Sequence, residues 1–269
     1  MIAIKNDAFD AFAGTYDDDF TNSTLGRLLR PRVWQEMAEH FSPGQYILEL
    51  TCGTGEDAVW LAKQGICVTA TDGSAEMVKH AKAKAEAEGV SKQVEVVRLS
   101  LQTLIGGQRS VVGGRQFDGV LSNFGGLNTI GEWRPLAESL AKVVKPGGKV
   151  ILVPMGPFCP WEIVWYAAHG QFKTAVRRFA RSASARIGPA TIPVWYPAAR
   201  QLKASFSPWF EYRHTESLGL WLPPSYLGYF VDRWPGVFAN INQLEKLTAR
   251  FTKGWGDHFI IVFERKTTP

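Results

Sequence analysis

Residues that could do chemistry cluster in ILELTCGTGEDAVWLA, positions 47 to 62, where an apolar run carries an acid, Glu49, and then turns through Thr51, Cys52, Gly53, Thr54 and Gly55 into a helical stretch. Glycines in such a turn let the backbone approach a ligand closely, and the helix that follows offers unpaired N–H groups. Gly53-Thr54-Gly55-Glu56-Asp57-Ala58 satisfies the dinucleotide pattern G-x-G-x-x-A, so an NAD-dependent oxidoreductase is one reading. Glu49 argues against it, because an acid there repels a pyrophosphate and suits a ligand that carries an ammonium group. A second acid, Asp72, closes the next apolar run in VTATDGS, where it can accept hydrogen bonds from both hydroxyls of a ribose. A third cluster, Ser122, Asn123 and Phe124 in FDGVLSNFGGLN, ends a strand-like run of the kind at whose carboxyl end open α/β sheets hold ligands.

These clusters need a parallel sheet to position them. From residue 47 to about 154, short apolar runs alternate with amphipathic stretches, the pattern of βαβ units. Five strands are predicted at Tyr46 to Leu50, Ile66 to Thr71, Val94 to Leu99, Phe117 to Ser122 and Lys149 to Pro154. Ser74 caps a helix that Gly89 ends, with Lys79, Lys82, Lys84 and His80 on its exposed face; a second helix spans Glu132 to Val144 and is closed by Pro146-Gly147-Gly148. The glycine-rich stretch Gly106 to Gln116 reads as a surface loop. After Met155 the rhythm breaks into Trp- and Pro-rich sequence, with a helix over Glu162 to Arg181 and a hairpin over Ala183 to Trp195 turning at Gly188-Pro189. A strand at Glu211 to Ser217, a helix at Val237 to Phe251 and a last strand at Asp257 to Arg265 return to the sheet.

Length and composition bound the function classes. A chain of 269 residues with 45% hydrophobic content can bury one large core without staples. Cys52, Cys67 and Cys159 form no CxxC pair and have no His partner at metal spacing, so neither a disulfide framework nor a metal site is expected, and a reducing cytoplasm fits. The amino terminus, MIAIKNDAFDAF, lacks the features of a signal peptide, and no run reaches the roughly 18 to 20 apolar residues of a membrane span. The net charge of +5 is dispersed except at Arg177, Arg178, Arg181 and Arg186, which read as a solvated basic face or a contact for an anionic substrate or membrane surface.

Taken together, the Glu49 to Gly55 loop, Asp72, the Asn123 strand end and LAKVVKPGGKVILV resemble the class I S-adenosylmethionine-dependent methyltransferases, especially the branch similar to ubiquinone and menaquinone biosynthesis enzymes. The resemblance implies a Rossmann-like, doubly wound α/β fold: a seven-stranded, mostly parallel sheet with an antiparallel last strand and a cap inserted after the fifth strand. It divides the chain into lid helices at 1–45, a cofactor-binding domain at 46–154 and 206–269, and a substrate cap at 155–205. S-adenosylmethionine is then the cofactor. Glu49, Thr51, Cys52, Gly53, Thr54 and Gly55 would wrap its methionine portion, with Cys52 a small packer. Asp72 would hold the ribose, Gly73 and Met77 the adenine side, and Ser100 and Leu101 the adenine flanks. Ser122, Asn123 and Phe124 would border the methyl group, and Tyr16, in FDAFAGTYDDDFTN, would close over it. Arg27, Arg30 and Arg32 are candidates for the cofactor carboxylate.

Two departures from the family pattern stand out. Thr51 occupies the usual place of the loop's first glycine, and its β-branch is expected to forbid a positive φ there; Ser100 stands where relatives have an acid. The implied acceptor is a small molecule, since no Asn-Pro-Pro-Tyr type motif of nucleic-acid amino-methylating enzymes is present. Phe124, Trp161, Trp165, Trp195 and Trp221 are candidate substrate walls favouring an apolar or aromatic acceptor, and His169, His214 and Tyr166 are candidate bases; His258 reads as structural. A cofactor-binding protein without methyl transfer is the other alternative. Oligomeric state is not encoded in any motif.

Overall fold

A computed structural model describes residues 9–107, 114–187 and 190–267. The Gly188-Pro189 turn, most of the Gly106 to Gln116 loop and the first eight residues lie outside that set. In chain order the elements are α1 (Thr24–His40), β1 (Tyr46–Leu50), α2 (Glu56–Lys63), β2 (Cys67–Asp72), α3 (Ala75–Ala87), β3 (Val94–Arg98), α4 (Leu101–Ile105), β4 (Phe117–Ser122), α5 (Arg134–Ala141) and β5 (Val144–Leu152). They continue with α6 (Pro160–Ala168), α7 (Phe172–Ala175), β6 (Ser182–Ile187), β7 (Ala190–Trp195), α8 (Ala199–Phe206), β8 (Phe210–Leu218), α9 (Tyr229–Arg233), α10 (Pro235–Thr252) and β9 (His258–Arg265).

Seven strands form one sheet in the order β3-β2-β1-β4-β5-β9-β8, parallel except for β9, which runs antiparallel to both of its neighbours. Alternation along β1 sets the layers: Ile47 packs with α1, α2 and α3, whereas Leu48 and Leu50 pack with α4, α5 and α8. The period of two puts Glu49 on the Ile47 face, under α1 and α2. β1 and β4 are central neighbours, so the loops after them open side by side, at the crevice where the strand order reverses.

Several expectations change. Pro146-Gly147-Gly148 does not close a helix ahead of the fifth strand; it lies inside β5 as an irregularity opposite Phe117 and Gly119, and α5 ends at Ala141. The stretch from Glu162 to Arg181 is not one helix: α6 stops at Ala168, Gly170 takes a φ of +71°, and α7 and a 3-10 turn at Arg177–Ala180 follow. The stretch FDAFAGTYDDDFTN, expected to be a lid helix, forms a 3-10 turn at Asp10–Phe12 and a π-helical turn at Asp17–Thr21 ahead of α1. α8 buries Leu202 and Phe206 in the sheet's second core, so it belongs with the sheet and not with a cap. No helix among the described residues is long and apolar enough to cross a membrane.

Two of the basic residues between 177 and 186 turn inward. Arg178 is buried and all of its donor atoms are engaged: Nε and Nη2 reach Glu162 Oε2 at 3.0 and 2.7 Å, Nη2 reaches Asp257 Oδ1 at 2.6 Å, and Nη1 donates to the carbonyls of Asp257 and Gly156 at 3.1 and 3.3 Å. Arg177 Nε and the Tyr226 hydroxyl also donate to the buried Glu162. This network ties α6 and the turn after α7 to the start of β9. Arg178→Ala would take the guanidinium from buried Asp257 and leave Glu162 with only Arg177 and Tyr226, so we expect a loss of about 3–5 kcal/mol in unfolding free energy, read as a lower urea midpoint. A variant as stable as the wild type would show the network to be dispensable.

Candidate functional site

The crevice holds a cavity of about 220 Å³ whose floor is polar and whose far wall is apolar. At the floor, Asp57 in the first turn of α2 is buried and accepts three hydrogen bonds: from Arg30 Nη1 at 2.8 Å, Trp34 Nε1 at 2.7 Å and Asn123 Nδ2 at 2.8 Å. Arg30 lies 5.0 Å over the Phe124 ring and 5.7 Å over Phe20. Burial works against its charge, yet Asp57 holds its pKa above the usual value. Glu49 is 1% exposed, and among the described residues neither its Oε2 nor Arg30 Nε has a hydrogen-bond partner. Burial, with Asp57 next, pushes the Glu49 carboxyl well above the ordinary carboxylate range.

The loop after β1 closes on Asp72, which accepts from Gly53 N at 3.0 Å and Ser74 N at 2.9 Å; burial nevertheless raises its pKa. Thr51 has a φ of +54°, contrary to the expectation drawn from its β-branch. Its Oγ1 donates to Leu50 O at 2.5 Å and lies 3.2 Å from Ser122 Oγ. Gly126 makes the room: a Cβ there would meet Thr51 Oγ1 at 1.8 Å. The left-handed turn is therefore held by side-chain hydrogen bonds in place of a glycine.

The amino-terminal segment is docked by its acids. Asp10 accepts from Ser74 Oγ and from Glu76 N, while Asp17 accepts from Thr54 Oγ1 at 2.7 Å and pairs with Lys84 at 2.8 Å. Lys84, expected on the exposed face of α3, instead bridges Asp17 and Glu56. Tyr16 packs edge-on against Phe12 and tilted against Phe20; burial pushes its hydroxyl up to about 12, so it stays protonated. On the far wall stand Phe9, Phe124, Met155, Ile192 and Val194. Asn128 fixes this wall, donating to Met155 O and Trp195 O and accepting from Met155 N.

Of the residues expected around the cofactor, Tyr16, Glu49, Thr51, Cys52, Gly53, Thr54, Asp72, Gly73, Met77, Ser100, Leu101, Asn123 and Phe124 line the cavity. Gly55 does not; a Cβ there would meet Ala81 Cβ at 2.9 Å, so its glycine serves α2–α3 packing. Ser122 is buried behind Thr51. Ser100 caps α4 and is 2.8 Å from Thr103 Oγ1. Among the three arginines only Arg30 lines the cavity; Arg32 pairs with Glu216, and Arg27 is exposed.

The tryptophans and candidate bases are elsewhere. Trp161 packs on Phe238, Trp165 on Phe230 and His169, and Trp221 donates to Thr248 on the surface. Trp195 wedges against Gly131 in the second core, His169 ends α6 in solvent, Tyr166 packs on Tyr226, and His214 sits on edge strand β8. Sequence reasoning missed Asp57, Asn128, Ile192 and Val194. An acid in a helix's first turn is unremarkable until its three donors are seen, and the hairpin carries no motif.

Residues 47–148 match a family described as a methyltransferase domain. A tRNA 5-carboxymethoxyuridine methyltransferase of Escherichia coli (strain K12) is 27% identical over 60% of this chain, which spans 57% of that relative's length. A demethylmenaquinone methyltransferase of Mycobacterium bovis (strain BCG / Pasteur 1173P2) is 28% identical over 85% of the chain and 83% of its own. The methyltransferase-domain match and these relatives support a class I S-adenosylmethionine-dependent methyltransferase. A DhpI–SAH complex shares the fold, with a TM-score of 0.58 at 15% identity over 98% of this chain and 97% of its own.

S-adenosylmethionine is the cofactor of this methyltransferase family, and the cavity fits it. Glu49 Oε2 and Arg30 Nε are buried, without partners and of opposite charge type, which suits an α-ammonium and an α-carboxylate. Asp72 has acceptor capacity beyond its backbone bonds for two ribose hydroxyls.

Two predictions follow from these contacts. Ionising Glu49 in the free protein costs folding free energy, so stability falls as pH rises from the unfolded pKa of about 4.3 toward the folded one. An ammonium group reverses that preference, so binding of S-adenosylhomocysteine should release a proton in this interval. Calorimetry in buffers of different ionisation enthalpy reads the release; Glu49→Gln should abolish it, and its persistence there would assign it to another group. Gly126→Ala should lose roughly 1–3 kcal/mol of stability through overpacking on Thr51. In a Thr51→Gly background the same change should cost less than about 1 kcal/mol, and additive losses in this double-mutant cycle would disprove the contact.

Proposed function

We propose that the protein transfers the methyl group of S-adenosylmethionine to a small apolar or aromatic acceptor that arrives already able to act as a nucleophile. The observation that carries this reading is the division of the cavity. Its charged groups, Glu49, Arg30, Asp57 and Asp72, lie at the floor and the ribose side, while Phe124, Met155, Ile192, Val194 and Phe9 make the acceptor side apolar. No histidine lines the cavity among the described residues, and Tyr16 keeps its proton. Asn128, the polar side chain nearest Met155, is fully used on backbone groups.

The cofactor supplies a methyl group made electrophilic by a sulfonium charge. The chain contributes position and dryness: Glu49 and Arg30 orient one end, Asp72 the other, and Tyr16 with Phe9 covers the opening. Displacement needs no base when the acceptor is a phenolate, thiolate, carboxylate or enolate-type carbon. The demethylmenaquinone relative, whose named substrate is apolar and aromatic, supports this acceptor class. In this reading the lid comprises residues up to 45 and the cap runs from 155 to about Tyr196, with α8 returned to the cofactor-binding body.

Labelled S-adenosylmethionine, offered with fractionated metabolites and separately with RNA, tests the reading. We expect label in an apolar small molecule, and Asp72→Asn to weaken cofactor binding about tenfold or more. Label in RNA alone would replace this acceptor class with the one named for the tRNA relative.

A further inference from the structure

Outside the cofactor cavity, three metal-ligating side chains converge where α1 meets edge strand β8. Glu36 and His40 stand one helical turn apart on α1, which puts both on the same face. His214 comes from β8, at the point where the β8–β9 register shifts between Tyr212 and His214, an irregularity of the kind that re-aims a side chain. His40 Nε2 lies 2.8 Å and His214 Nε2 2.9 Å from the same oxygen, Glu36 Oε1, and one ligand atom from each residue falls within 4.8 Å of the others. Glu36 is 5% exposed. His214 Nε2 is itself buried and, although close to Glu36, makes no well-directed hydrogen bond. One carboxylate oxygen therefore faces two imidazole nitrogens, one of which is left without a directed partner.

We propose that Glu36, His40 and His214 bind a divalent transition-metal ion, with zinc the best match, and so clip α1 to the edge of the sheet. Two imidazoles and one carboxylate are a donor set for zinc, cobalt or nickel and not for calcium or magnesium. Bonds of about 2.0–2.2 Å in a tetrahedral site place ligand atoms roughly 3.4 Å apart, so the nitrogens must move back from Oε1 by about half an ångström, and the two imidazoles, whose ligand atoms lie within 4.8 Å of each other, must adjust to the same spacing. A groove of about 380 Å³, lined by Arg32, Gln35, Glu39, Glu216, Lys246 and Arg250, reaches Glu36 and gives an ion and its water a way in. Among its basic residues, Arg32 and Arg250 are both paired with Glu216, so their charge is already answered.

The sequence expectation of no metal site looked only for partners to the cysteines. His40 and His214 become neighbours only when β8 is added at the sheet edge.

The test uses the full chain without a histidine tag, stripped with chelator and dialysed. Zinc titration should show one ion bound per chain and a raised Tm, and cobalt should give the visible absorption of a low-symmetry site. Glu36→Gln, His40→Gln and His214→Gln should each weaken zinc about tenfold or more, whereas His80→Gln, on the exposed face of α3, should not. S-adenosylhomocysteine affinity serves as the readout of an intact fold, and it should stay at the wild-type value. Absence of stoichiometric binding, or wild-type binding in all three variants, would overturn the site and leave a carboxylate bridging two imidazoles by ordinary ion pairing.

Discussion

The carboxylate of Asp57 receives a guanidinium and an indole N–H from α1 and an amide from the end of β4, while its own backbone begins α2. Three walls of the cavity are thus pinned to one buried group. A carboxylate in a helix's first turn is favoured by the local dipole, and the arginine adds a charge-assisted bond, so desolvation of the pair is offset by satisfied geometry. The arrangement has an electrostatic consequence next door. The Arg30 charge lowers the Glu49 pKa, but burial and the nearby Asp57 outweigh it, and Glu49 is left with an unpartnered oxygen among the described residues and a raised pKa. A site built this way answers to a cation brought by the ligand.

The amino-terminal segment has the opposite construction. Between Phe9 and Asn22 only Ala13 is buried, and the segment is held by Asp10 on the start of α3 and by Asp17 on Thr54 and Lys84. Few buried apolar contacts and several solvent-accessible polar ones place this segment at the low-stability end of the molecule, where opening is cheapest. Its tight 3-10 and wide π turns let Phe9 and Tyr16 line the cavity while Phe20 packs on Phe124.

What the sequence made legible was local. The strand-loop-helix of residues 47 to 62, the acid at Asp72 and the strand end at Asn123 are short-range patterns with fixed offsets, and the parallel layout follows from βα alternation. Pairings between distant segments left no such trace. Lys84 looked like one of several surface lysines because Asp17 and Glu56 approach it only through the fold. Arg178 looked solvated because Glu162 and Asp257 lie on either side of it in sequence but around it in space. The Thr51 expectation failed for a different reason: steric preference is a cost, and here hydrogen bonds to Leu50 O and near Ser122, with Gly126 giving way, outweigh it. The tryptophans were drawn into the substrate wall by their concentration, whereas they pack the cap, the second core and the surface, and smaller side chains of the hairpin line the cavity.

That substitution bears on rate. A positioned general base contributes about 10²–10⁴-fold where proton removal is part of the transition state, and the acceptor side offers no group to supply it. Orienting two reactants at contact distance reaches effective molarities of about 10⁵–10⁸ M, a larger factor that asks only for rigid walls. Phe124 illustrates how rigidity is obtained: its φ of +41° is strained for an aromatic residue, and it is over-determined by Arg30 and Phe20 on one side and His258 on the other. His258 does not line the cavity and packs edge-on against that ring, where it acts as a support. Under the proposed function, the division between a charged floor and an inert far wall favours acceptors that are already nucleophilic when they enter.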